Sequence, residues 1–161
     1  GLKIRVMESK TAFDMVKALG GSPTPISFGE LYTSLQQGVV DGAENNPPSF
    51  YLSRHYEVCK YYTLDEHTIL PDVLLMSTHI WDSFSDQERG WLSQAVKESV
   101  IEQRKLWAES EKQSLDAVKE AGVEIIIPDK TLFSKKSKKI LESYKEDEVL
   151  YDFINRIKNT K

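Results

Sequence analysis

A helical pattern runs from Ser85 to about Ala121, and its length constrains the fold more than any other feature of the chain. Ser85 and Glu88 stand at capping-box spacing where it begins, and Gly122 can close it. Leu92, Ala95, Val96, Val100, Trp107, Leu115 and Val118 mark its apolar stripe. At ~1.5 Å per residue an unbroken helix here is ~50 Å long, whereas a compact domain of this size is roughly 30–40 Å across. The helix is therefore expected to overhang its lobe. Covering the rest of the stripe takes a second lobe, and the remaining sequence is too short to build one. The stripe lacks strict heptads, which favours a lobe-spanning element over a coiled coil.

The residues before this helix read as alternating strands and helices. Leu2-Lys3-Ile4-Arg5-Val6 is a strand with no approach to it, as expected of a fragment. Ser9 can cap a helix over roughly 10–19, with Phe13, Val16 and Leu19 on one face and Gly20-Gly21 ending it. Two prolines keep residues 22–26 extended. Ser27 and Glu30 form a second capping box, for a helix carrying Leu31 and Leu35 and stopping at Gly38; a strand at 39–41 follows. The order β-α-β-α-β with short turns predicts an α/β lobe with a partly parallel sheet. Further on, a helix is expected over 49–58 and strands near 61–69 and 72–80. The run Val73-Leu74-Leu75-Met76 is continuously apolar, as in a strand covered on both faces. After the long helix come a strand at 123–128, a lysine-rich helix near 131–146, and an amphipathic helix with Val149, Leu150, Phe153 and Ile154 that also needs a partner.

Composition narrows the function. The chain has 161 residues and a net charge of −4, with no basic face of the kind nucleic-acid binders carry. The one basic run, Lys135-Lys136-Ser137-Lys138-Lys139, has acidic neighbours and reads as a solvated helix face. No apolar run approaches the ~20 residues that span a membrane, and no signal peptide is visible. Cys59 is alone, so no disulfide framework exists. His67 and His79 fall on the two expected strands, but no further spacing supports a metal site. Ser49 with His55 has no nucleophile-elbow scaffold. No cofactor is implied.

The chemistry concentrates in Gly38-Val39-Val40-Asp41-Gly42-Ala43-Glu44-Asn45-Asn46-Pro47. A short β-branched run breaks through turn residues into a carboxylate and two amides, and Pro47-Pro48 stiffen the exit. Amides on a rigid backbone suit hydroxyl-rich or carboxylate ligands, because each both donates and accepts. They suit catalysis poorly, because they do not titrate.

Three segments then fall into line: Lys3-Ile4-Arg5-Val6, the stretch from Pro23-Thr24-Pro25 through Phe28, Glu30 and Tyr32, and the stretch from Gln36-Gln37-Gly38 through Asp41-Gly42 to Glu44-Asn45. Phe28 lies 23 positions after Arg5, and Asn45 lies 17 after Phe28. In order and spacing they resemble the solute receptors of TRAP transporters, the tripartite ATP-independent periplasmic systems, and the likeness runs to about residue 145. It implies the second lobe of a two-lobed α/β periplasmic binding protein: a mixed β-sheet flanked by helices, a long lobe-spanning helix and C-terminal helices. Residues 1–84 would be the ligand-binding lobe. Residues 85–161 would be the spanning helix, the returning strand near 123–128 and the C-terminal helices that complete the fold with a first lobe absent here. The ligand would lie between the lobes, and a hinge would close them.

The resemblance assigns roles residue by residue. Arg5 occupies the position of the arginine that pairs bidentately with a ligand carboxylate, a match of guanidinium fork to carboxylate. Phe28 matches the aromatic beside the ligand, and Asn45 the amide at the cleft rim. Asn46 doubles that amide, which resembles the branch that binds sugar acids such as uronates. Glu8 stands where some relatives have an amide; a carboxylate there would repel a second ligand carboxylate but accept from hydroxyls. His67 is a candidate hydroxyl partner at the rim. The implied protein is an extracytoplasmic, periplasmic receptor that delivers an organic acid to a TRAP membrane permease. The alternatives are an effector-sensing domain of a cytoplasmic regulator and, third, an enzyme acting on sugar acids, for which no acid–base pair stands out. A piece with this much uncovered helix is also expected to self-associate.

Overall fold

The computed structural model describes residues 1–160. Three parallel strands, β1 (Lys3–Val6), β2 (Ser22–Pro25) and β3 (Gly42–Ala43), form a sheet in the order β2-β1-β3. Arg5 of the central strand pairs with Thr24 on one side and Ala43 on the other. Helix α1 (Lys10–Leu19) makes the first crossover. Ser9 caps it, and Gly20 ends it at φ 99°, a conformation in which a Cβ would be strained. Helix α2 (Leu31–Gln36) makes the second crossover, after a 3₁₀ turn at Phe28–Glu30. Val6, Val16, Leu31 and Val40 are the buried apolar side chains of this part.

A second sheet pairs β4 (Tyr61–Thr63) with β5 (Glu124–Ile126), also in parallel. Between the two sheets in chain order comes α3 (Pro47–Leu52), packed on the long helix α5 (Asp86–Glu120). Phe50, Val118 and Val123 are the buried centre of this second core, with Tyr51, Tyr56, Cys59, Tyr62 and Ile125 around it. Helix α4 (Thr78–Ser83) precedes α5; α6 (Lys130–Ser143) and α7 (Glu148–Asn159) follow β5. Helix α6 returns to α1, where Lys136 Nζ donates to the carbonyl of Leu19 at 3.0 Å and so helps to satisfy the helix end.

The long helix is continuous for 35 residues, about 52 Å at 1.5 Å per residue. Its capping box is complete: the Ser85 hydroxyl accepts from the Glu88 N–H while the Glu88 carboxylate accepts from the Ser85 N–H. Only Ser114 and Val118 of α5 are buried, near its C-terminal end, and Trp91, Ile101 and Trp107 stay exposed. The accessible surface is 12143 Å², against about 8,200 Å² for a compact monomer of 18.4 kDa. The excess is what an overhanging helix produces.

Several expected boundaries are corrected. The strand placed at 39–41 forms at Gly42–Ala43, because Val40 turns into the core and Asp41 accepts the Lys3 N–H through its carboxylate. Ser27 hydrogen-bonds the Glu30 side chain but caps no backbone N–H, so a 3₁₀ turn replaces the first turn of that helix. The helix placed at 49–58 is α3 followed by a 3₁₀ turn at His55–Glu57, because Arg54 adopts φ 58°. The strand placed at 61–69 ends at Thr63, and Glu66 sits at φ 50°, which no ladder accommodates. No strand forms at 72–80: Val73, Leu74 and Leu75 are 71–82% exposed, and Thr78 already begins α4. A continuously apolar run needs cover on both faces, and no described residues supply it. His79 therefore lies on a helix, away from the strand pairing assumed for it and His67.

Candidate functional site

Parallel α/β sheets place ligands outside the carboxyl ends of their strands, where successive crossovers leave the sheet in opposite directions. Here the chain goes from β1 to β2 on one side, then crosses to β3 on the other. By that rule the crevice belongs between the ends of β1 and β3. Arg5 lies near the end of β1, Glu44 and Asn45 follow β3, Phe28 follows β2, and Glu8 lies in the loop after β1. Parallel pairing of three strands thus brings four of the six expected site residues to one end of the sheet.

Arg5 is 4% exposed. Its Nε donates to the carbonyl of Ile26 at 2.8 Å, the only hydrogen bond of its side chain among the described residues. That bond fixes the plane of the guanidinium, and both Nη groups carry no hydrogen bond among the described residues. The Phe28 ring lies 5.8 Å from the guanidinium carbon, in cation–π range. Phe28 is half-exposed and meets His55 edge to face at 5.6 Å. His55 is buried, and burial together with the nearby Arg5 cation lowers its pKa, so it packs as a neutral ring at neutral pH.

The amides are already partly used by the chain. Asn45 Oδ1 accepts from the Asn46 N–H, and Asn46 Oδ1 accepts from the Ser49 N–H at 2.8 Å, capping α3. Their NH₂ donors carry no bond within the described residues, so this rim offers donors more than acceptors. The Asn45 carbonyl is itself held by the Tyr62 hydroxyl at 2.7 Å, and Tyr62 stacks on Phe50 at 4.7 Å. Glu8 is exposed, with no hydrogen bond of its own among the described residues. Because Asn46 is an N-cap, Asn46→Ala should lower stability by about 1 kcal/mol and Asn46→Asp should preserve it, as read by urea denaturation. Equal stability of Asn46→Ala and the parent would remove the capping role.

His67 joins the site through Glu44. Its Nδ1 lies 2.7 Å from Asp65 Oδ1, and its Nε2 lies 3.9 Å from Glu44 Oε2. The bond to Asp65 raises the His67 pKa. Desolvation raises that of Glu44, opposed by the His67 and Arg5 charges. Glu44 was visible in the sequence as one carboxylate of a polar turn; its position between Arg5 and His67 was not. Tyr62 and His55 were missed as well. The sequence places Tyr62 on a strand and His55 on a helix, but only the tertiary contacts of Tyr62 with Asn45 and of His55 with Phe28 bring them to the site.

Among the described residues, no group of three or more histidine, cysteine or acidic side chains could hold a metal ion, and no helix is long and apolar enough to cross a membrane. A family model described as bacterial extracellular solute-binding protein, family 7, matches residues 1–147. A solute-binding protein of Chromohalobacter salexigens is 45% identical over 121 residues, covering 73% of this chain and 36% of that protein. The crystal structure of a TRAP periplasmic solute-binding protein from Xanthobacter autotrophicus Py2, with bound β-D-galacturonate, superposes with a TM-score of 0.90 at 42% identity. It covers 100% of this chain and 54% of that one. A similar protein from Roseobacter denitrificans, with bound β-D-glucuronate, gives 0.92 at 35% identity, covering 100% and 54%. The chain spans about a third of the length of the curated relatives and about half that of the solved structures.

Proposed function

Since the chain belongs to the bacterial extracellular solute-binding proteins of family 7, we propose that it carries half of the binding cleft of a receptor for a sugar acid of the uronate class. Members of this family are transport receptors rather than enzymes, and the reading follows that division. The observation that carries it is Arg5: a buried guanidinium, oriented by Ile26 and Phe28, with both Nη groups free at the carboxyl end of β1. Such a fork takes a carboxylate bidentately. The Asn45 and Asn46 NH₂ donors, Glu44 and Glu8 give hydroxyls of a polyol monocarboxylate both donors and acceptors. A second ligand carboxylate would meet the negative charge of Glu44 and Glu8. His67 serves this rim through Glu44, and Phe28 offers its face to the ring.

The receptor acts outside the cytoplasm and hands its ligand to a TRAP permease. The uncovered stripe of α5 is the seat of the other lobe. If a second copy takes that seat instead, light scattering of the 161-residue chain will read a dimer.

A thermal-shift panel on the full-length gene product tests the ligand class. Glucuronate or galacturonate should raise the melting temperature, and succinate or malate should not. Stabilisation by a C4 dicarboxylate with none by sugar acids would replace this reading with a dicarboxylate receptor.

A further inference from the structure

Asp65, His67 and Glu44 form a line from the segment after β4 to the end of β3, and Glu44 at its end feels the charge of Arg5. Their side chains are 19%, 15% and 18% exposed. His67 Nδ1 is committed to Asp65 at 2.7 Å. A carboxylate only accepts, so Nδ1 carries a proton. In neutral imidazole Nε2 is then a bare lone pair. It is shielded from solvent and has no hydrogen-bond partner within the described residues, and the nearest charged group is the Glu44 carboxylate at 3.9 Å. Two acceptors near each other in a desolvated pocket are unfavourable, and a proton on Nε2 turns the contact into an ion pair.

We propose that Glu44 and His67 titrate as an ion pair that holds one proton and that capture of an anionic sugar acid at Arg5 draws this proton in, so that ligand binding is coupled to proton uptake. The inference rests on Arg5 being the carboxylate anchor. When it holds its proton, the free site sets the Arg5 and His67 cations against the Glu44 and Asp65 anions. Tyr62 beside them is held neutral by burial. Glu66 is paired outward with Lys130 at 2.6 Å, and His55 on the far side of Arg5 is neutral. An arriving carboxylate neutralises Arg5, the cation that favours ionised Glu44. The Glu44–His67 pair then binds its proton more tightly. The proton comes from solvent, and no bond other than N–H or O–H changes.

The sign follows from linkage. His67 already titrates above its ordinary value because of Asp65. Uptake on binding therefore appears at pH above the ordinary histidine range, where the free site loses its proton. Over that window affinity falls with pH, by up to about tenfold per unit for one proton. The ligand carboxylate stays ionised throughout.

Calorimetry of the full-length receptor with D-glucuronate in phosphate and in Tris, at matched pH, reads the proton directly. Binding heats should differ between the buffers in the sense of uptake, by up to one proton, and His67→Asn should bind with that difference gone. Absence of uptake in the parent, or uptake undiminished in His67→Asn, overturns the proposal while leaving Arg5 as anchor. If D-glucuronate does not bind the parent, the uronate reading fails first. The pair is then read by NMR titration of the His67 imidazole in ligand-free protein. Glu44→Gln should lower its midpoint, and an unchanged midpoint overturns the pairing.

Discussion

Arg5→Ala in the full-length receptor is expected to weaken sugar-acid binding by about 2–4 kcal/mol, roughly a 30- to 1,000-fold rise in Kd, the range for truncating one partner of a buried charge pair. The size of the effect follows from the surroundings. Arg5 is almost fully buried, and its Nε is spent on the Ile26 carbonyl, so the fork is already oriented before ligand arrives. Little side-chain entropy remains to be lost on binding. Without the guanidinium, the ligand carboxylate enters a crevice where Glu44 is the nearest remaining charge of the β3 end, and attraction gives way to repulsion. Arg5→Lys keeps the charge but loses the planar fork and the Ile26 bond, so it should fall between the parent and Arg5→Ala. Calorimetry on folded variants decides; unchanged affinity in Arg5→Ala would show that the carboxylate is held elsewhere.

Local rules were legible where the signal was local. Ser9 and Ser85 cap the helices they were expected to cap, and Gly20 ends α1 in the left-handed conformation only glycine adopts freely. The β-α-β-α-β order emerged because apolar periodicity and turn chemistry agree there. Two local expectations fail, the Ser27 cap and the unbroken helix through Arg54, and the larger errors fall where long-range pairing decides. Val73-Leu74-Leu75-Met76 has the composition of a buried strand, yet a strand exists only if a neighbour pairs with it. The shift of β3 by a few residues has the same origin: Val40 is buried as a core residue and not as a strand residue, and composition cannot tell the two apart. The site divides in the same way. Arg5, Phe28 and Asn45 were readable by spacing, and the parallel order β2-β1-β3 brings the ends of their strands together. Glu44 against His67 and Tyr62 beneath Asn45 depend on contacts 17 to 23 residues apart in sequence, which no local pattern encodes.

Phe50 connects the core to the crevice, and its loss should be felt in both. Its ring is 6% exposed, stacks on Tyr62, and sits with Val118 of α5 and Val123 before β5. Truncation to alanine removes most of the apolar contact between α3 and α5 and leaves a cavity that this small core cannot close, so Phe50→Ala should cost about 3–5 kcal/mol. Urea denaturation should show the midpoint falling with little change in slope. Amide exchange should rise first in α3, in β4 and in the last turns of α5, ahead of α1 and the β2-β1-β3 sheet, which rest on a separate set of buried residues. The Tyr62 ring loses its support in the same step, and with it the 2.7 Å bond that holds the Asn45 carbonyl. Tyr62→Phe separates the two effects: it keeps the stack, removes only that bond, and should cost about 0.5–1.5 kcal/mol. If Phe50→Ala loses less than about 1 kcal/mol, below the range for emptying a packed aromatic site, the second core does not hold α3 to α5. The route from the long helix through Phe50 and Tyr62 to the amide rim would then have no energetic basis.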